Sequence, residues 1–196
     1  MKQIVLGIVL TVLSWSLASA NALHLNPDQL ATAENMQTFG GTTVPIGYID
    51  YCRRYKSRCK ERSRESAVKL TQENWRRLID INSFVNSAIR PVSDQEYFGV
   101  EERWDYPRVA GDCEDYALLK RKILQNYGLP LSALLMTVAR DANGGGHAVL
   151  TVVTDKGDFV LDNIEPRVLH WREAEIYFLK RQSRTDPNKW ESLVRS

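Results

Sequence analysis

The sequence predicts an α+β domain, with helices in the first half of the chain and an antiparallel sheet after them. Three observations lead there. Leu70, Trp75, Leu78, Ile79, Phe84 and Val85 recur at helical spacing, as do Tyr116, Leu119, Ile123 and Tyr127. Beyond Pro130 the pattern turns to short strand-like runs over 133–139, 147–154 and 159–162. The composition, 43% hydrophobic and 26% charged over 196 residues, suits one globular domain with its own core. It excludes a disordered chain, a collagen-like repeat and a multi-span membrane protein.

At the N-terminus, Lys2, an apolar run from Ile4 to Leu17 and Ala18-Ser19-Ala20 have the form of a secretory signal peptide. That assigns residues 1–20 to export and residues 21–196 to a single mature domain starting near Asn21, periplasmic or secreted. An uncleaved anchor is the other reading, but the run falls short of the roughly 20 apolar residues of a membrane span. No stable membrane insertion is expected once the signal is cleaved. Residues 21–45 lack periodicity and read as an extended lead-in.

Residues 51–77 hold ten Lys or Arg against three Glu. The stretch either docks on an anionic partner or forms a solvated helix face and loop. It lacks the interleaved aromatics of a single-strand platform, and a chain net charge of +2 gives no reason to expect a nucleic-acid partner. Within it Cys52 and Cys59 are spaced so that a loop closes them as a disulfide, which persists outside the cytosol. Such a bridge contributes roughly 2–3 kcal/mol by chain entropy. Cys113 is then left unpaired, either a reactive thiol or a buried structural cysteine.

The first long helix starts at Thr71 and ends before Pro91, which steers its predecessor away from helical angles. Residues 92–109 read as a polar loop carrying Tyr97, Phe98, Trp104 and Tyr106. A second helix runs from about Cys113 to Tyr127, stopped by Gly128 and Pro130. Asp155-Lys156-Gly157 forms the turn between the second and third strands. The tail, from Arg172 through Phe178 and Leu179 to Trp190, reads as helical and then irregular. His24 and His170 lie in segments without partners and read as surface residues.

Three segments carry chemistry: Gly111-Asp112-Cys113-Glu114-Asp115-Tyr116, Gly144-Gly145-Gly146-His147-Ala148-Val149 and Val160-Leu161-Asp162-Asn163. A thiol at the opening turn of a helix meets unsatisfied N–H groups and the positive end of the macrodipole, both of which favour a thiolate. The same N–H groups suit an oxyanion. A histidine after flexible glycines and a carboxylate at a strand end complete a nucleophile, base and orienter. The register between the strands is open. A turn centred on Asp155-Lys156-Gly157 sets Asp162 nearly opposite Leu150, three residues from His147, so that a bulge or twist is required; one centred on Thr154-Asp155 pairs them directly. Asp112, Glu114 and Asp115 around the thiol oppose its ionisation. They either complement the helix N-terminus or ligate a cation such as Ca²⁺.

These strings, with Trp104-Asp105-Tyr106-Pro107 upstream, resemble the bacterial transglutaminase-like cysteine proteinase family over about residues 70–180. The resemblance implies a papain-like, transglutaminase-like core with Cys113 as nucleophile, His147 as general base and Asp162 as orienter. It implies Asp112, Glu114 and Asp115 as calcium ligands, with no organic cofactor. Some members are periplasmic, calcium-dependent proteases that clip large surface adhesins, so the implied partner is a cell-surface or periplasmic protein. The Cys52–Cys59 segment lies outside that pattern. The expected activity is therefore that of an exported thiol peptidase working through a thioester. Acyl transfer to an amine, peptidoglycan amide hydrolysis, and a non-catalytic module docking through 51–77 are the alternatives.

Overall fold

Residues 34–45 are extended as expected, and two of them pair with the last strand of the sheet. The structure, a computed structural model, describes residues 34–60, 62 and 64–195, together with Pro27. The 1–20 signal stretch, the start near Asn21 and His24 lie outside the described residues. Gly41–Thr42 forms β1. The basic segment begins with two short helices, α1 (Ile46–Arg54) and α2 (Lys56–Lys60), which the Cys52–Cys59 disulfide joins with Cα atoms 5.6 Å apart. Its cations are not all solvated: Arg54 pairs with Asp50 and with Asp105.

Helix α3 (Gln72–Ala88) starts where Thr71 Oγ1 accepts the Asn74 N–H at 3.2 Å, and it ends at Ile89, which is extended ahead of Pro91. The 92–109 stretch, expected to be loop throughout, contains one helical turn, α4 (Asp94–Tyr97), because Ser93 Oγ accepts the Glu96 N–H and caps it. Around it β2 (Arg90–Pro91) and β3 (Ala110–Gly111) pair in parallel. Helix α5 (Cys113–Asn126) follows at once and is closed by Gly128 at φ 88°. A single 3₁₀ turn, Leu131–Ala133, leads into the sheet.

The sheet comprises β4 (Leu134–Arg140), β5 (Gly146–Thr154), β6 (Gly157–Leu161), β7 (Leu169–His170), β8 (Tyr177–Gln182) and β9 (Trp190–Ser192). With β1 it is seven-stranded and antiparallel, in the order β1-β9-β8-β4-β5-β6-β7. The tail is thus not helical. Its helix-like spacing yields to the free edge of β4, where Thr137 faces Arg181 across a ladder and Gln182 Oε1 accepts the Met136 N–H. Nor is His170 a surface residue: in β7 its ring lies edge-on to Phe159 at 5.6 Å. Among the described residues no helix is long and apolar enough to cross a membrane.

Helix α5 lies on β5 and β4, and α3 lies on α5. A second part of the core is aromatic. Tyr48, fully buried on α1, stacks on Tyr51 and meets Trp104 and Trp190 edge-on at 5.6 and 5.5 Å. The helix can approach because residue 47 is glycine: a Cβ there would collide with the Trp104 indole. Gly47→Ala should therefore lower stability by about 1–3 kcal/mol, read from urea midpoints. Gly41→Ala, whose Cβ would meet only Trp190 O at 4.0 Å, is the control and should change little.

Candidate functional site

The site forms where α5 begins. Gly111 ends β3, and its missing Cβ is what lets the Asp115 carboxylate fold back over it. Asp112 is the N-cap residue of α5, but its side chain does not cap; Oδ2 accepts the Asp94 N–H at 3.1 Å instead. Cys113 follows in the first turn, unpaired and half-buried. Its thiol donates to Glu114 Oε2 at 3.2 Å, and the Ala148 backbone N–H is directed at the sulfur. Since Ala148 is the residue after His147, this contact sets the thiol against the start of β5, where His147 lies. Burial first, then the Glu114 and Asp112 charges, push the Cys113 thiol up well above its usual value, while the Ala148 N–H pulls the other way.

His147 is the second residue of β5 and is buried. Its Nε2 lies 2.9 Å from Asp162 Oδ1, so the ring's Nδ1 is the atom left to exchange a proton with a thiol. Asp162 is itself held: Oδ1 also accepts the Ile164 N–H, and its carbonyl accepts from Asn86 Nδ2 on α3. The register is neither of the two considered from sequence. Thr154 pairs with Gly157 around a two-residue turn, and the ladder ends at Leu150 with Leu161. One step further Asp162 falls across from Val149. His147 is two residues from Val149 and shares its face of the sheet, so the pair meets on the diagonal without a bulge.

The acidic residues divide differently from the sequence expectation. One carboxylate oxygen each of Asp94, Asp112 and Glu114 lies within 4.8 Å of the others. Asp115 stands beside them, with Oδ1 on the Asp105 N–H at 2.7 Å and Oδ2 buried without a partner. Asp94 escapes a reading of the sequence because it lies in a stretch that reads as polar loop, where Ser93 caps α4 and Asp94 is the helix's first residue. Only the parallel pairing of Pro91 with Gly111 carries Asp94 to Asp112. Burial, and then mutual repulsion, push these acids up: Asp94 to about 6 and Glu114 to about 9, with Asp115 raised to about 8. An all-oxygen set of this spread suits a hard cation such as Ca²⁺, whose ligands stand at about 2.3–2.6 Å. The buried Asp112 Oδ1 and Asp115 Oδ2, both unpartnered, fit the same reading.

The sequence profile of the bacterial transglutaminase-like cysteine proteinases matches residues 38–196. The chain belongs to that family. The proteinase has the fold of calcium-bound LapG from Legionella pneumophila, with 23% identity and a TM-score of 0.53 over 65% of this chain and 74% of that one. The EGTA-treated form of LapG from the same organism gives 24% identity and a TM-score of 0.49 over 58% and 64%. No curated protein matches the chain.

One further residue of the proteinase's site is not singled out by sequence. Lys120 lies on α5 two turns past Cys113, with no exposed surface and no hydrogen-bond partner for Nζ. Burial pushes its ammonium down from 10.5 to about 7, against the attraction of Asp162. Between those values the unfolded chain binds the proton that the folded chain has released, so this lysine makes stability rise with pH from about 7 to 10.5. Lys120→Met should flatten that rise and increase stability at neutral pH, as read from urea midpoints of both proteins across the range.

Proposed function

We propose that the proteinase is exported and cleaves a periplasmic or cell-surface protein through Cys113, His147 and Asp162. The observation that carries this is the bond between His147 on β5 and Asp162 just past β6, with the neighbouring Ala148 N–H directed at the thiol in the first turn of α5. His147 Nδ1 takes the thiol proton, and the sulfur bonds to the scissile carbonyl carbon while the C=O pair moves onto oxygen. The N–H groups of the first turn of α5 face that oxyanion. Its collapse breaks the C–N bond, and the amine leaves with the proton from His147. Water then gives a proton to the same ring and attacks the thioester, and the C–S bond breaks to restore the thiolate and free the acid. Asp162 keeps Nε2–H donated throughout, which fixes the ring's orientation and stabilises its charged form.

Asp94, Asp112 and Glu114 are the residues that would hold calcium, which supplies there the positive charge that offsets three carboxylates beside a thiol. The calcium-bound state of LapG supports the same ion here. Export is supported by the apolar run before Ala18-Ser19-Ala20 and by the Cys52–Cys59 disulfide.

Iodoacetamide should modify Cys113 with a rate inflection well below the free-thiol value of about 8.5 when calcium is present. That inflection should disappear in His147→Ala. An ordinary slow thiol with and without calcium overturns the reading. Cys113→Ala should abolish the release of new N-termini from protein substrates; an isopeptide product in place of a new N-terminus would mark acyl transfer instead. Asp94→Asn should weaken calcium binding about tenfold or more in a calorimetric titration.

A further inference from the structure

We infer that the cleft beside His147 selects its substrate through a basic side chain, lysine or arginine, in the segment being cleaved. The inference rests on the peptidase reading of Cys113 and goes beyond it in naming what the protein recognises. A cavity of about 250 Å³ opens on the β6 side of the site, and His147 and Asp162 are part of its wall. An occupant is therefore next to the residues that act on the bond.

The cavity has two kinds of surface. Val160, Leu169 and Ile176 supply an apolar wall. Asp141, Glu165, Glu173 and Glu175 supply four carboxylates, against one guanidinium, that of Arg167. Arg167 is already committed: Nε and Nη2 fork onto the two oxygens of Glu165, each at 2.8 Å. Asp141 is held in place by the Asn143 and Gly145 N–H groups on Oδ1, which leave its charge uncompensated. Glu173 and Glu175 are exposed and make no ion pair among the described residues, and the one guanidinium whose field reaches them is Arg167, already forked onto Glu165. After the Arg167–Glu165 pair is set aside, the rim keeps three carboxylates.

An apolar wall under an anionic rim matches the amphipathic form of a long basic side chain, whose methylenes pack while its charged head stays at the wet edge. An apolar side chain would use the wall alone, and an acidic one would be repelled. The Arg167–Glu165 fork shows that this rim accommodates a guanidinium in bidentate geometry. Concave surfaces with low-dielectric walls concentrate such a field.

The test uses Cys113→Ala protein and three blocked pentapeptides, Ala-Ala-Arg-Ala-Ala and its counterparts with citrulline or norleucine at the centre, titrated by NMR at low ionic strength. The arginine peptide should bind about tenfold tighter than either counterpart. That preference should fall below about threefold in a Glu173→Gln/Glu175→Gln background and shrink with added salt. Both positions are exposed, and the spectra report directly that the variant is folded. Equal affinities, a best fit for norleucine, no binding by any peptide, or a preference that survives the double substitution each overturns the inference. Cys113-dependent cleavage of protein substrates is read separately, so the peptidase reading and the basic-side-chain reading can fail independently.

Discussion

At the first turn of α5 a thiol and several carboxylates are held together by backbone that cannot let them separate. The pairing of β2 with β3 fixes Asp94 against Asp112, the missing Cβ of Gly111 draws Asp115 inward, and the packing of α5 on β5 leaves Glu114 no route to water. Each group then meets the others' charge in a medium that screens poorly. The protein alone answers with protons: Asp94, Glu114 and Asp115 all bind theirs more tightly than free carboxyls do, and the thiol hydrogen-bonds to Glu114. A cation is the other answer, and it would release the thiol from the same repulsion. In the proposed mechanism, ionisation of Cys113 and ion binding are thus one electrostatic problem with two solutions.

The surrounding structure holds that crowded turn in place. Asp105 accepts from Arg54 at the end of α1 and from Tyr55 just after it, while its own N–H goes to Asp115. Tyr106 bonds through its hydroxyl to Tyr51 at 2.7 Å. The basic segment, conspicuous in sequence as a docking candidate, therefore spends part of its charge internally, on Asp105 behind the first turn of α5. The Cys52–Cys59 bridge ties α2 to α1, which with Tyr55 after it provides these donors.

Much of this was legible in one dimension, for reasons that also explain what was not. The α3 and α5 helices carry their own start and stop signals in Thr71, Pro91, Gly128 and Pro130, and those signals act over a single turn. Cys113, His147 and Asp162 stand out because each sits at the end of an element. Their meeting depends on hairpin parity, and a register differing by one residue would have put His147 and Asp162 on opposite faces. Asp94 and Lys120 were hidden for a different reason. Asp94 lies in what reads as a polar loop until a parallel pairing twenty residues away brings it to Asp112, and Lys120 looks like one more surface cation until folding buries it. The tail failed because Phe178 and Leu179 respond to an edge of β4 that does not exist until the sheet has formed.

The position of Trp190 has a consequence for the order in which the molecule is made. Tyr48, near the beginning of the described chain, closes its cluster on an indole 142 positions later, and β1 has β9 as its strand neighbour. Neither contact exists until the last strand has been synthesised. Loop closure over that separation is slow, whereas α1's contacts with Trp104, Asp105 and Tyr106 span less than half of it. The two ends of the described chain are thus fastened to each other, and the aromatic cluster around Tyr48 is complete only when β9 is in the sheet.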